Sequence, residues 1–338
     1  QGDAYLGDVK YQYGTSNLNA TSPAQTWRST TDSTDASIRF HNDATLSNED
    51  EYYSHNAVAL LNCNVRKPVL SYSGTTAFSG GGATTDYTID LTKYLATVTG
   101  VTGTGNYFTV SGTDSKKWAD SELVNMYADV LYNDGTQKTL KVVRNTGNRV
   151  YISGLTQSVT NYISALDTVA FFDGNGATVF AGAQGHSYKA MRIKLPASNT
   201  VEGYLQLGSY VAGMTLPFSV PLDWQDADVQ EPNVVMYQSD RGTRSAYKQG
   251  PSRRLFEGTV IGDAEKWRDG FRGLMDNIVD YSKRPVVLVT DGNNPNNNML
   301  YCRYDGATEM ENAAWKYNAE TAQWERVGDL KVSFVEEV

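Results

Sequence analysis

Cysteine is almost missing from this sequence: among 338 residues only Cys63 and Cys302 carry thiols. Two thiols so far apart exclude a disulfide framework, give secretion no support, and read as unpaired residues of separate domains. Histidine is as scarce, with only His41, His55 and His186. None has the spacing of a zinc or zincin motif, and no Cys pair stands near them. They read as scattered structural or surface residues, and no metal is expected. Basic charge is in deficit, 29 Lys and Arg against 38 Asp and Glu, for a formal net charge of −9. A sequence-independent nucleic-acid binder needs a basic footprint, so that class is set aside. A wall past which DNA slides without sticking stays compatible with such a charge. No run reaches the roughly 18 apolar residues of a membrane span. The opening Gln1-Gly-Asp-Ala-Tyr-Leu6 lacks the basic-plus-apolar pattern of a signal peptide. Neither a Gly-x-Ser-x-Gly elbow nor a phosphate-cradling Gly-x-x-x-x-Gly-Lys loop occurs.

What is present is typical of a folded chain: 40% hydrophobic and 20% charged residues, with 22 Tyr and 30 Gly. Aromatic and β-branched residues with frequent turn formers point to a β-rich protein. Length allows two or three domains. Early core positions are Trp27 and the alternating Ile38 and Phe40. Ala57-Val-Ala-Leu-Leu61 is a continuous apolar run, expected as a strand buried on both faces. Val69-Leu-Ser-Tyr72 is another strand, closed by Gly74.

Near Gly100 the character changes. Thr104-Gly-Asn-Tyr-Phe-Thr-Val-Ser-Gly112 returns as Thr146-Gly-Asn-Arg-Val-Tyr-Ile-Ser-Gly154, a duplicated turn-and-strand unit. Between them Asn133-Asp-Gly135 separates two apolar strands and predicts a hairpin. Val169–Phe172 and Ala177–Phe180, flanking Asp173-Gly-Asn-Gly176, suggest a further one. Ala190–Leu195 and Gly203–Gly208 then resume the earlier style. Two strands cannot hold a sheet alone, so they are paired with strands before residue 98. The predicted organisation is therefore 1–98 and 186–216 as one discontinuous β-sandwich, 99–185 as an inserted β-domain, and 217–338 as a C-terminal domain. Pro217 to Pro232 reads as a linker.

The C-terminal part is organised around a helix expected over Asp263–Tyr281. Trp267, Phe271, Leu274 and Ile278 recur on one face, Asp263 suits the N-cap, and Pro285 forbids continuation. Gly270 and Gly273 each cost about 1 kcal/mol in a helix interior and mark either strong packing or a close backbone neighbour. Strands are expected at Arg254–Ile261, Pro285–Thr290, Met299–Tyr304 and Leu330–Val335.

Several constellations invite chemistry. Asp223, Asp226, Asp228 and Glu231 could supply a glycosidase acid pair, but a Pro-flanked acidic run reads better as solvated linker. Asp291–Asn298 lacks the ligand spacing and closing Glu of a calcium loop. Arg241, Arg244, Arg253 and Arg254 are the densest basic stretch; a phosphate or DNA contact weighs less than acid pairing at a subunit boundary or solvation. No catalytic, cofactor-binding or metal-binding residue is assigned, and no enzyme activity or cofactor is expected.

Gly250-Pro-Ser-Arg-Arg-Leu-Phe256, the Trp267 helix, Pro285-Val-Val-Leu-Val-Thr-Asp291 and the closing Phe334-Val-Glu-Glu-Val338 together resemble the ring-forming domain of phage distal tail and related baseplate proteins. That resemblance covers roughly 230–338. It implies a tail-tube-like β-sandwich flanked by one α-helix. Ala57–Val65 with Met191–Leu195 and Gly203–Gly208 is similar to the galactose-binding-like jelly roll of many phage tail proteins. The insertion at 99–185 departs from that pattern, and no sugar-site motif is carried over. The fold implied is mainly β: a jelly-roll-like sandwich with an inserted small β-domain, then the ring domain. The role implied is a structural virion protein of a phage tail tip or baseplate, made in the host cytoplasm. It would form a homo-oligomeric ring, contact other tail or baseplate proteins and let DNA pass the lumen without specific binding. The alternative is a carbohydrate-binding adhesin for a host surface glycan.

Overall fold

The computed structural model describes residues 4–6, 26–41, 53–74, 84–101, 106–131, 137–153, 160, 163–165, 167–179, 186–188, 190–213, 215, 222–223, 229–231, 234–238, 244–248, 253–260, 285–289, 299–304, 310–318 and 322–337. The fold is mainly β. Two compact units divide it: Gln1–Met214 with Thr290–Met299, and Thr215–Val289 with Leu300–Val338. The helix expected over Asp263–Tyr281 and the loop Asp291–Asn298 lie outside the described residues.

The first unit opens with β1 (Ala4–Leu6), β2 (Trp27–Arg28), β3 (Ala36–His41), β4 (Tyr53–His55), β5 (Ala57–Leu61), β6 (Val69–Ser73) and β7 (Thr84–Thr88). Next come β8 (Tyr94–Val101), β9 (Tyr107–Val110), β10 (Tyr127–Leu131), β11 (Gln137–Thr146), β12 (Arg149–Ser153) and β13 (Thr168–Phe172). It finishes with β14 (Gly176–Val179), β15 (His186–Tyr188), β16 (Ala190–Leu195), β17 (Gln206–Leu207) and β18 (Ser209–Gly213).

A five-stranded sheet β1-β3-β16-β6-β7 and a three-stranded sheet β14-β5-β18 share one apolar core. Ile38, Leu70, Met191 and Ile193 enter it from the first sheet, Val58 and Leu60 from the second, and Trp27 from β2. β5 is central in its sheet and buried along Val58–Leu61, as an unbroken apolar run requires. Arrangement of sheets about a common core is consistent with a β-sandwich. β16 pairs with both β3 and β6, so residues far apart in sequence close the sheet.

Between β7 and β14 the chain builds a closed antiparallel barrel, β10-β11-β12-β9-β8-β13. Ala96, Val98, Phe108, Val110, Leu140, Val142, Val150, Ile152, Val169 and Phe171 fill its interior. The hairpin predicted at Asn133-Asp-Gly135 is β10–β11. The duplicated segments meet as β9 and β12, in a register symmetric about the Phe108–Val150 pair: Tyr107 faces Tyr151 and Thr109 faces Arg149. The strand preceding and pairing with each repeat also carries a bulge at a matching place, β8 between Val98 and Gly100 opposite Val110 and Thr109, and β11 between Val142 and Arg144 opposite Ile152 and Tyr151. The hairpin expected from 169–172 and 177–180 does not form. β13 joins β8 and β10 in the barrel, whereas β14 pairs with β5. The Asp173-Gly-Asn-Gly176 turn instead hands the chain from barrel to sandwich.

Three contacts fasten barrel to sandwich. Lys93 and Asp173, at the entry and exit of the barrel, form an ion pair. Arg66 Nε lies 2.5 Å from Asp129 Oδ2 of β10, whose side chain is only 3% exposed. Tyr127 and Phe172 point outward from the barrel, stack at 5.2 Å and join the sandwich core. A polar seam runs beside them. Cys63 N–H donates to Gly174 O at 2.8 Å, Gln206 N–H to Asn64 Oδ1 at 2.7 Å, and Asn64 Nδ2 to Tyr204 O at 2.8 Å. Gln206 Nε2 donates to Asn62 Oδ1, and Asn62 N–H to Asn175 Oδ1. These Asn and Gln side chains thus stitch the segments near 62, 174 and 206 together.

On the barrel, Asp114 accepts from Lys117 Nζ at 2.7 Å, Ser111 Oγ at 2.6 Å and Thr97 N–H at 2.9 Å. The Lys117 bond first, then the Ser111 and Thr97 bonds, hold its carboxyl well below the usual carboxylate range. A carboxyl depressed in the folded state stabilises fully above its unfolded pKa, about 3.9. That contribution is lost as pH falls through the folded value. Asp114→Asn is therefore expected to lower the thermal midpoint at neutral pH, with the gap to wild type closing between about pH 5 and about pH 2. A gap independent of pH would contradict this assignment.

The second unit contains β19 (Leu222–Asp223), β20 (Val229–Glu231), β21 (Val234–Gln238), β22 (Arg244–Lys248), β23 (Arg253–Val260), β24 (Val286–Val289), β25 (Met299–Tyr304), β26 (Met310–Asn318) and β27 (Gln323–Glu336). Its main sheet runs β19-β23-β27-β25-β24, with β20 also on β23 and β26 on β27. Phe334 is the hub, 5.6 Å from Tyr304 and 6.3 Å from Phe256, among buried Leu288, Leu300, Cys302 and Val332. The stretch read as a linker contributes strands: Leu222 pairs with Val260 and Val229 with Leu255. Its apolar residues recur too rarely for a sequence pattern, but β23 offers them a partner edge.

Candidate interaction surfaces

The histidines belong to the first unit, and the acidic and basic candidates to the second. His55 is buried, its Nε2 2.7 Å from Tyr72 Oη, which suits a core histidine. His41 ends β3, and His186 of β15 pairs with His55 of β4. Asp223 and Glu231 sit on β19 and β20, both against β23; Asp226 and Asp228 lie outside the described residues, as does Arg241. Arg244 is on β22, while Arg253 and Arg254 open β23, where Arg254 N–H donates to the Glu336 carboxylate at 3.0 Å. Among the described residues no group of three His, Cys, Asp or Glu could hold a metal ion. Cys63 and Cys302 are free and buried; burial pushes the Cys63 thiol up to about 12, so it is inert as a nucleophile at neutral pH. No described helix is long and apolar enough to cross a membrane.

Two surfaces do stand out. The first is a ribbon in the second unit. β27 is long because its C-terminal half belongs to the main sheet and its N-terminal half pairs with β26. Alternation along Ala314-Trp-Lys-Tyr-Asn318 places Trp315 and Tyr317 on one face, and the register puts Trp324 directly across from Tyr317. Trp315 is 67% exposed, Trp324 64% and Tyr317 50%; the Tyr317 and Trp324 rings meet edge to face at 5.4 Å. Three such rings bare on the order of 400 Å² of mostly apolar surface. A patch of that size is comparable to the largest on a typical monomer, and such patches are often functional.

The second surface is on the barrel. Inward residues of β11 alternate through Leu140 and Val142, so unbroken pleating would turn Arg144 inward. The bulge after Val142 prevents this. It brings Val143 and Arg144 both outward and Asn145 inward, where Asn145 Oδ1 accepts from Leu123 N–H and its Nδ2 donates to Ala119 O, each at 2.9 Å. The Arg144 guanidinium then lies over the Tyr151 ring, 5.5 Å from its centroid. Arg149 lies over Tyr107 at the same distance, and the two tyrosine rings are 5.1 Å apart.

Neither surface is singled out by sequence reading. The ribbon's signal is present in the alternation of Trp and Tyr with charged residues over 314–317. The barrel's is hidden, because only the bulge reveals that Arg144 shares a face with Arg149. No protein-family model matches this chain, and no curated protein matches it.

Proposed function

We propose that this chain is a non-enzymatic structural protein of a phage tail tip or baseplate, in which the second unit closes a homo-oligomeric ring. What supports the reading most is the aromatic face of Trp315, Tyr317 and Trp324 on a two-stranded ribbon. Such a ribbon is marginal in water on its own, and covering its rings would supply apolar contact to a neighbour. Head-to-tail contacts between copies close a ring under cyclic symmetry. In this reading the first unit is a jelly roll of the galactose-binding type, residues 263–281 form the helix flanking the ring sandwich, and the first unit holds other tail proteins or fibres. DNA passes the lumen without specific binding, in keeping with a net charge of −9.

Mass photometry of the full chain is expected to show a discrete oligomer. Trp315→Ser with Trp324→Ser is expected to shift it to monomer with the thermal midpoint of the first unit unchanged. An oligomer indifferent to both substitutions would remove the ribbon from the assembly contact, and a wild-type monomer even with tail partners present would overturn the ring.

A further inference from the structure

We propose that the Arg144–Arg149 face of the barrel is a binding site for an acidic glycan, a saccharide chain bearing carboxylates. The proposal is independent of ring formation, since every residue in it belongs to the first unit.

The charge argues for an anion. In a chain with an excess of acids, two exposed arginines share one face here. Among the described residues no carboxylate pairs with either. Asp120 reaches the tip of the same hairpin but accepts from Gly147 N–H at 2.6 Å. Each guanidinium carbon lies 5.5 Å from a tyrosine ring centroid, a cation–π contact that holds the side chain on this face, and a guanidinium can grip a carboxylate through two hydrogen bonds. On adjacent strands Arg144 and Arg149 are diagonal neighbours, their backbones roughly 7–8 Å apart. That spacing suits carboxylates on separate sugar rings better than a single small anion.

The surroundings argue for a saccharide. Val143 is 51% exposed on the bulge beside Arg144 and offers apolar contact to a sugar face. Thr146 and the hydroxyl-bearing Tyr107 and Tyr151 lie beside the arginines, while the Thr99, Thr109 and Ser153 hydroxyls donate within the barrel and keep only acceptor capacity for a polyhydroxylated ligand. An acidic peptide would gain most by adding a strand to a sheet edge, and a closed barrel has no edge. A nucleic acid carries one charge per roughly 1.7 Å of duplex and demands a longer stripe of cations than two arginines in a net-negative chain provide.

The test is calorimetric titration of the full chain with an oligogalacturonate tetramer, maltotetraose, an oligothymidylate and oligoglutamate. Binding of the uronate over the neutral sugar, reduced on the order of tenfold or more by Arg144→Gln and again by Arg149→Gln, is the expected result. Both substitutions are on an outward face, so the thermal midpoint serves as the control for folding. No uronate binding at millimolar ligand, equal binding of maltotetraose, preference for the oligothymidylate or oligoglutamate, or uronate binding untouched by both substitutions in a folded protein would each overturn the proposal. Failure of ring formation would leave all these outcomes unchanged, so the two readings are separable.

Discussion

Gly174→Ala is expected to destabilise the first unit by about 3 kcal/mol or more, while Gly147→Ala is expected to cost only about 1 kcal/mol. Both glycines hold positive φ, +84° and +53°. A left-handed backbone costs an L-residue roughly 1–2 kcal/mol at either position. The surroundings separate them. A Cβ on Gly147 meets nothing within 4 Å, whereas one on Gly174 falls 2.7 Å from the Cys63 carbonyl oxygen and 3.0 Å from its nitrogen. Those atoms are backbone of the segment leading out of central strand β5, which accepts β14 and β18 as neighbours. Relief requires the Cys63 N–H bond to Gly174 O to lengthen, and that bond anchors the turn handing the chain back from the barrel. Urea unfolding of the two variants measures the difference; equal losses would show that φ alone, and not close approach, fixes Gly174.

Asp129→Ala is expected to cost about 3 kcal/mol, because it takes from the largely buried Arg66 the carboxylate it pairs with. The Asp129 side chain is 3% exposed and that of Arg66 21%. Their pairing stabilises less than its short distance suggests, since both charges gave up water to form it. The consequence is a rescue: Asp129→Leu with Arg66→Met is expected to return to within about 1 kcal/mol of wild type. An additive loss in the double variant would contradict this. Because Asp129 stands on β10 and Arg66 between β5 and β6, the single variant is also expected to speed hydrogen exchange where barrel meets sandwich.

These two sites also show what the sequence could and could not disclose. Ala57–Leu61 was legible as a doubly buried strand because its apolar run has no polar break, and Asn133-Asp-Gly135 as a hairpin because its turn chemistry is local. The alternation in Ala190–Leu195 demanded a distant partner, which β3 and β6 provide. Closure of the barrel was not legible: β8 meets β13 across more than sixty residues, and nothing local encodes that pairing. Asp173-Gly-Asn-Gly176 misled because a good turn between two apolar strands looks the same whether they pair with each other or enter different sheets. Val229 and Leu222 sat in acidic, Pro-flanked sequence whose strand character comes from β23. Of the two surfaces, Tyr317 opposite Trp324 depends on the register of β26 against β27, and Arg144 depends on a bulge. Both hinge on register, which a single sequence encodes weakly where no buried face pins it.

The measurement that bears most directly on the assembly is negative-stain imaging of the purified full chain, alone and mixed with virion lysate. The proposed role predicts closed rings of one symmetry with a lumen wide enough for a DNA duplex, lost when Trp315 and Trp324 are replaced by Ser. Isolated monomers, or trimers with long projections, would contradict it and favour an adhesin that works without a ring.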